Sequence, residues 1–243
     1  MRREPVFNAP TAILGLVAAF VLVHGIRALL PAEDDAYVVL ALGFIPARYG
    51  DTPYPLPGGD FAAVTSFITY MFVHGDVLHL IVNSAWLLAF GTPLVRRMGS
   101  IRFIVFSAVC GIAGALVFWA LNPGLLAPMV GASGAISGMM GGLLRFLFNA
   151  MDNGNGLNGD ESNGDAARMG FGQMLRDRRV VLTIGVWILL NFALSLGFAS
   201  YGEPAAIAWE AHLGGFFAGL LTFGFFDPVA HAAPQDPNSP PLQ

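Results

Sequence analysis

Four polar side chains lie within strongly apolar parts of the sequence and could together perform acyl-transfer chemistry. They are Ser133, His212, His79 and Asn83, and a polar group in such surroundings is costly unless it has a partner or a function. A serine hydroxyl acts as a nucleophile when a histidine accepts its proton. His79 and Asn83 are four residues apart and would therefore share one face of a helix.

The surroundings of Ser133 favour this chemistry. Ser133 lies in the stretch GASG (131–134), next to a predicted helix start, where the first backbone N–H groups have no partner within the helix. Fixed donors beside a nucleophile are what an oxyanion hole requires. The pattern predicts that His212 is the general base and that water is the second nucleophile.

No acidic residue is well placed to complete a triad. Glu210 precedes His212 by two residues, which is about 200° around a helix, so its carboxylate would point away. Asp76 lies at the start of the helix that carries His79, and nothing in the sequence directs it toward His212. We therefore predict a Ser133–His212 dyad.

The composition indicates the elements that must position these residues. The chain has 243 residues, of which 55% are hydrophobic and 12% charged, about half the charged fraction of a typical soluble domain. This balance predicts an all-α polytopic membrane protein with six transmembrane helices, because each crossing needs about 20 apolar residues. The predicted spans are 11–30, 77–95, 103–121, 131–149, 180–198 and 205–226.

The arginines predict the orientation of the spans. They cluster before the first span, between the second and third, and between the fourth and fifth, whereas the opposite side holds only Arg27 and Arg48. Basic residues favour the cytoplasmic side, so both termini are predicted to be cytoplasmic, an N-in and C-in arrangement.

The connections divide the chain into three regions. A cytoplasmic N-terminus (1–10) precedes the helical domain (11–226), and a Pro-rich stretch (227–243) is predicted to be a disordered cytoplasmic tail. Within the domain, the semi-apolar outer loop 31–75 is predicted to form short helices in the outer membrane interface. The inner loop 150–179 is predicted to be flexible because its part 152–165 is rich in Asn and Gly, and its role cannot be derived from its composition.

Helix geometry brings the four polar residues to one depth. At about 1.5 Å per residue, they lie about 3–12 Å below the outer ends of spans two, four and six. Spans four and six also carry small residues at every fourth position, which let two helices approach closely in lipid. These positions are Gly134, Gly138 and Gly142 on one span and Ala211, Gly215 and Gly219 on the other.

Three stretches in this order resemble the rhomboid family of intramembrane serine proteases, most closely the bacterial six-helix type. They are HGDVLHLIVN (74–83), GASG (131–134) and AHLGGFFAG (211–219), and the resemblance covers about 60–225. It implies Ser133 as nucleophile and His212 as base. It further implies His79, Asn83 and the Ser133 N–H as oxyanion donors, and we include Gly131 of the same motif in this oxyanion and substrate-binding set.

The resemblance also implies partners and a location. The expected substrates are transmembrane segments of other membrane proteins, cleaved within the lipid bilayer, with no metal, organic cofactor or nucleic acid involved. The expected location is a bacterial inner membrane, with the site opening to the periplasmic or extracellular side. The identity of the substrates and the oligomeric state do not follow from the sequence.

One departure from the family concerns the base. Ser137 stands where many members have a tyrosine that stacks on the histidine, so Phe216 or Trp209 is expected to substitute. Asn191, in span five, is interpreted mainly as a helix–helix hydrogen-bonding residue and secondarily as a substrate-lining one.

Two other functions are compatible with parts of the pattern. An inactive rhomboid relative that binds membrane clients would usually lack the serine or the histidine, and this chain has both. A small transporter would also place polar residues within the membrane, but the spans contain no embedded acidic pair and no inverted repeat.

Overall fold

The regular secondary-structure elements in the part of the chain that the structure describes are all helices. The computed structural model describes residues 9–51, 55–152, 166–200 and 208–228, without the side chains of 194–200. The α-helices in these ranges are α1 (Thr11–Ala28), α2 (Ala32–Leu42), α3 (Gly59–Thr69), α4 (Val77–Trp86), α5 (Thr92–Met98), α6 (Ser100–Leu121), α7 (Ser133–Leu144), α8 (Leu147–Asp152), α9 (Phe171–Arg176), α10 (Arg178–Ser200) and α11 (Trp209–Phe226). Short 3₁₀ helices cover Pro46–Tyr49 and Tyr70–Phe72.

Three helical segments of the described chain are long and apolar enough to cross a membrane: Thr11–Ala28, Val77–Met98 and Ser100–Leu121. The second is α4 continued through a π-helical segment, Leu87–Gly91, into α5. Pro93, near the start of α5, has no N–H to donate to the preceding turn, and a π segment accommodates such a break. The protein is thus an all-helical polytopic membrane protein, whereas six crossings and the N-in, C-in orientation remain predictions.

Helix α7 is much shorter than the predicted span 131–149. It ends at Leu144 after 12 residues, or about 18 Å, against a hydrocarbon core of about 30 Å. The buried Arg145 follows, and its guanidinium donates to the carbonyl oxygens of Met169 and Leu220. The predicted length was therefore wrong, because a buried arginine at this point binds backbone of other elements and the chain turns into α8.

The inner loop is only partly as predicted. Residues 166–179 of the predicted flexible region 150–179 are ordered, because Ala166, Met169 and Met174 are buried and α9 lies among them. The Met169 N–H donates to the Arg145 carbonyl oxygen at 2.6 Å. Most of the Asn/Gly-rich part, 153–165, lies outside the described residues.

A buried ion pair joins the end of α11 to α5. Both nitrogens of the Arg97 fork donate to Asp227 at 2.9 Å, and the third donates to the Ala166 carbonyl oxygen at 2.8 Å. Asp227 is fully buried. The predicted start of a disordered tail at 227 is therefore wrong for Asp227 itself, while 1–8 and 229–243 lie outside the described residues.

The described residues of the outer loop, 31–51 and 55–75, form short helices that pack on the helical core. Arg48 donates to the carbonyl oxygens of Leu40 and Pro57, which ties the two halves of the loop together. The Tyr49 ring lies 4.8 Å from that of Trp119 at the end of α6. The position of this loop relative to a bilayer remains a prediction.

The predicted contact between small residues of α7 and α11 is confirmed. A methyl group added at Gly215 would overlap the Gly134 carbonyl oxygen, and one added at Gly219 would overlap the Gly138 carbonyl oxygen. The two helices therefore touch backbone to backbone. Any larger residue at these positions would increase the distance between the helices.

We predict that Gly219→Ala destabilises the protein, because the added methyl group must push α7 away from α11. Overpacking of this kind costs about 1–3 kcal/mol. Thermal unfolding in detergent micelles should show a lowered midpoint. Gly185→Ala in α10 is the matched control, since nothing lies within 4 Å of its added Cβ, and equal midpoints for the two variants would contradict the prediction.

Candidate active site

The structure brings the Ser133 hydroxyl and the His212 imidazole into direct contact. Ser133 Oγ lies 2.7 Å from His212 Nε2, a hydrogen-bond distance. Ser133 is the first residue of α7, and His212 lies in the first turn of α11. Gly134 allows this approach, because its Cα faces the carbonyl oxygen of Ala211, the residue before His212.

The start of α7 leaves backbone donors unused beside the hydroxyl. Its first helical bond runs from the Ile136 N–H to the Ala132 carbonyl oxygen. The N–H groups of Ser133 and of the next two residues precede that bond and therefore have no partner within the helix. These are the donors that the sequence predicts for an oxyanion hole.

Gly131 contributes to the site because it has no side chain. Its φ is +108°, a conformation that favours glycine, and a Cβ there would lie 2.6 Å from His79 Nε2. Its N–H donates to the Tyr70 carbonyl oxygen at 2.9 Å. Gly131 thus lets the imidazole of His79 approach the GASG turn, while its own donor is engaged elsewhere.

His79 is oriented as a hydrogen-bond donor toward that turn. Asp76 caps α4 by accepting from the His79 backbone N–H at 2.8 Å. The Gly75 N–H points at His79 Nδ1 at 3.4 Å, a long contact that favours a lone pair on Nδ1. A neutral imidazole with that tautomer carries its proton on Nε2, the nitrogen beside Gly131.

Asn83 lies one turn further along α4 and is buried. Its Nδ2 donates to the His79 carbonyl oxygen at 2.9 Å, which leaves the second amide hydrogen for another acceptor. His79 and Asn83 therefore share the helix face that their spacing predicts.

The ring of His74 packs against the ring of His79. The fully buried His74 ring lies edge-on to the His79 ring at 5.2 Å, and the His74 carbonyl oxygen accepts from Arg27 at 2.7 Å. Burial, with a smaller contribution from the neighbouring His79, lowers the pKa of His74 to about 4. The ring is thus neutral and can pack beside a second imidazole without repulsion.

Asn191 makes the helix–helix hydrogen bond that the sequence predicts, but its partner, His212, was not predicted. Its Oδ1 lies 2.6 Å from His212 Nδ1, on the ring edge opposite Ser133. Depth along the helices could have found it. At 1.5 Å per residue, Asn191 lies about 20 Å from the start of α10 and His212 about 21 Å from the end of α11.

The expected aromatic substitutes for the family tyrosine have other neighbours. The Phe216 ring stacks on Trp187 at 4.3 Å, and the Trp209 ring lies edge-on to Phe192 at 6.1 Å. The contact that the structure shows for the His212 ring on this side is a hydrogen bond with Asn191 of another helix.

The two acidic side chains considered for a triad have other partners. Glu210 accepts a hydrogen bond from Asn122 at 3.1 Å, and Asp76 caps α4. Among the described residues, no group of three His, Cys, Asp or Glu side chains could hold a metal ion. The arrangement can perform nucleophilic chemistry with a hydroxyl, an imidazole and neutral donors.

Comparison with known proteins places the chain among rhomboids. The profile of the Rhomboid domain matches residues 62–227. Rhomboid protease GluP of Bacillus subtilis is 28% identical over 63% of this chain and 24% of its own length. Rhomboid-related protein 2 of Mus musculus is 29% identical over 66% and 49%, and RHOMBOID-like protein 4 of Arabidopsis thaliana is 34% identical over 61% and 30%. The chain thus spans between a quarter and half of the length of these relatives.

We predict that Ser133 is selectively reactive, because its hydroxyl can pass a proton to His212. A fluorophosphonate probe should label the wild-type protein and Ser137→Ala, but neither Ser133→Ala nor His212→Ala. Ser137 is the matched control, since it is buried one turn below Ser133 on the same helix. In-gel fluorescence of the purified protein in detergent measures labelling, and equal labelling of all four proteins would contradict the prediction.

Proposed function

Because this chain belongs to the rhomboid family, we propose that it is an intramembrane serine endopeptidase. In this proposal a Ser133–His212 dyad hydrolyses peptide bonds in or next to transmembrane segments of other membrane proteins. The observation that carries the proposal is the 2.7 Å contact between Ser133 Oγ and His212 Nε2, beside unused backbone donors.

The reaction would begin with attack of Ser133 Oγ on the carbonyl carbon of the scissile bond, while His212 Nε2 takes the hydroxyl proton. The resulting oxyanion would accept hydrogen bonds from the Ser133 N–H, His79 Nε2–H and the second amide hydrogen of Asn83. His212 would then give its proton to the departing amine, leaving an acyl-enzyme. A water molecule, deprotonated by His212, would attack the ester carbonyl, release the new carboxylate and return the proton to Ser133.

The placement of the arginines supports an orientation for the site in the membrane. The starts of α4, α7 and α11 meet at the site, whereas Arg97, Arg145 and Arg179 lie toward the opposite ends of the helical bundle. By the positive-inside rule, the site would open to the periplasmic or extracellular side of a bacterial inner membrane. Its partners would be the lipid bilayer and single transmembrane segments that reach the site from it.

We predict that the purified protein, reconstituted in liposomes, cleaves a single-span membrane protein. Ser133→Ala and His212→Ala should abolish cleavage, because the first removes the nucleophile and the second the base. Ser137→Ala should cleave like wild type. Immunoblotting of the fragments measures the reaction. Equal cleavage by wild type and Ser133→Ala would overturn the proposed function.

We predict a smaller defect for Asn83→Ala. Loss of one oxyanion donor costs at most about 10²–10³ in rate, since the other donors stay in place. The initial cleavage rate of Asn83→Ala should be lower than that of wild type by no more than this factor, whereas Ser133→Ala should show no activity. A rate equal to wild type would exclude Asn83 from the oxyanion set.

A further inference from the structure

The side-chain amide of Asn191 has only one orientation that satisfies its contacts. Its Nδ2 lies 2.9 Å from the carbonyl oxygen of Trp187, one turn earlier on α10. A carbonyl oxygen can only accept, so the amide nitrogen must face it. Oδ1 consequently faces α11, 2.6 Å from His212 Nδ1.

This orientation determines which nitrogen of His212 carries a proton. Oδ1 accepts and cannot donate, so Nδ1 must be the protonated nitrogen. In a neutral imidazole the lone pair then lies on Nε2, which is 2.7 Å from Ser133 Oγ. Hydrogen bonds therefore run in one direction, from the serine hydroxyl through the imidazole and the amide to the Trp187 backbone.

Aromatic packing holds Asn191 at this position. Trp187 and Asn191 are four residues apart on α10, and His212 and Phe216 are four apart on α11, so each pair shares one helix face. Trp187 stacks on Phe216 with a ring separation of 4.3 Å and an interplanar angle of 19°. The stacked rings and the Asn191–His212 bond thus form two adjacent contacts between the same helices.

An amide suits this position better than a carboxylate. An ionised side chain within the membrane has a large desolvation cost, whereas a neutral amide is satisfied by one donor and one acceptor. When Ser133 transfers its proton, His212 becomes a cation and Nδ1 keeps its hydrogen. Asn191 Oδ1 can accept that hydrogen bond before and after the transfer.

We infer that Asn191 is the positioning residue of the dyad, fixing the ring rotation and tautomer of His212 through the His212 Nδ1–Asn191 Oδ1 hydrogen bond. The inference rests on the proposed function for its effect on catalysis. The tautomer itself is a property of the folded protein and can be tested without substrate.

The test compares two substitutions of similar size. Asn191→Leu keeps the volume but removes the acceptor, and Asn191→Asp keeps an oxygen acceptor in either protonation state. Leu189→Ala is the matched control, because Leu189 is on the same helix and 65% exposed. All variants are full-length protein in detergent, checked for thermal midpoint.

Kinetics provide the first measurement. Asn191→Leu should lower kcat for a single-span substrate, and the rate of fluorophosphonate labelling at Ser133, by about 2- to 13-fold, the loss expected for a neutral hydrogen bond. KM should stay unchanged, and Asn191→Asp should recover most of the rate. Wild-type kcat in Asn191→Leu, or a raised KM with unchanged kcat, would overturn the inference and indicate packing or substrate lining.

The tautomer provides the second measurement and separates the two hypotheses. In protein labelled with ¹⁵N-histidine, the His212 resonances, assigned by their loss in His212→Gln, should show a protonated Nδ1 in wild type and Ser133→Ala. Asn191→Leu should give a mixture of tautomers. If wild type neither cleaves nor is labelled, the proposed function fails while this spectrum still tests the inference. An unchanged spectrum in Asn191→Leu overturns it.

Discussion

The backbone contact between α7 and α11 is the constraint on which the rest of the site depends. Lipid chains are as apolar as the side chains they surround, so close packing rather than the hydrophobic effect must hold two such helices together. Gly215 and Gly219 lie directly against the carbonyl oxygens of Gly134 and Gly138. Ser133 and His212 lie at the N-terminal end of this contact, where their 2.7 Å separation requires the same close approach.

The shortness of α7 creates a second requirement. A helix of 12 residues spans only about 18 Å of a bilayer core of about 30 Å, so non-helical chain next to it would also lie within the core if α7 crosses a membrane. The non-helical chain before it cannot leave backbone groups unpaired at that depth. The outer loop supplies the partners: Phe44 pairs with Met129 in both directions, and Tyr70 accepts from the Gly131 N–H. This explains why the loop 31–75 is folded and half apolar.

The sequence could predict what depends on local spacing and could not predict what depends on distant partners. The common depth of His79, Ser133 and His212 follows from counting residues, and the small-residue pattern predicts the α7–α11 contact. The end of α7 at Leu144 could not be predicted, because it depends on hydrogen bonds from Arg145 to the carbonyl oxygens of Met169 and Leu220. The order of residues 166–179 could not be predicted either, because composition does not show which arginine will bind their backbone.

The dyad is not part of any ion pair among the described residues. These ion pairs join Arg27 to Asp35, Arg97 to Asp227, and Arg179 to Asp152 and Asp177. The contacts around Ser133 are instead made by a hydroxyl, imidazoles, amides and backbone groups, which can be neutral in a low-dielectric environment. A charge would then arise only when Ser133 passes its proton to His212, and it would arise between Asn191 Oδ1 and the oxyanion donors. In such a site the directions of fixed dipoles, rather than permanent charges, must stabilise the transition state.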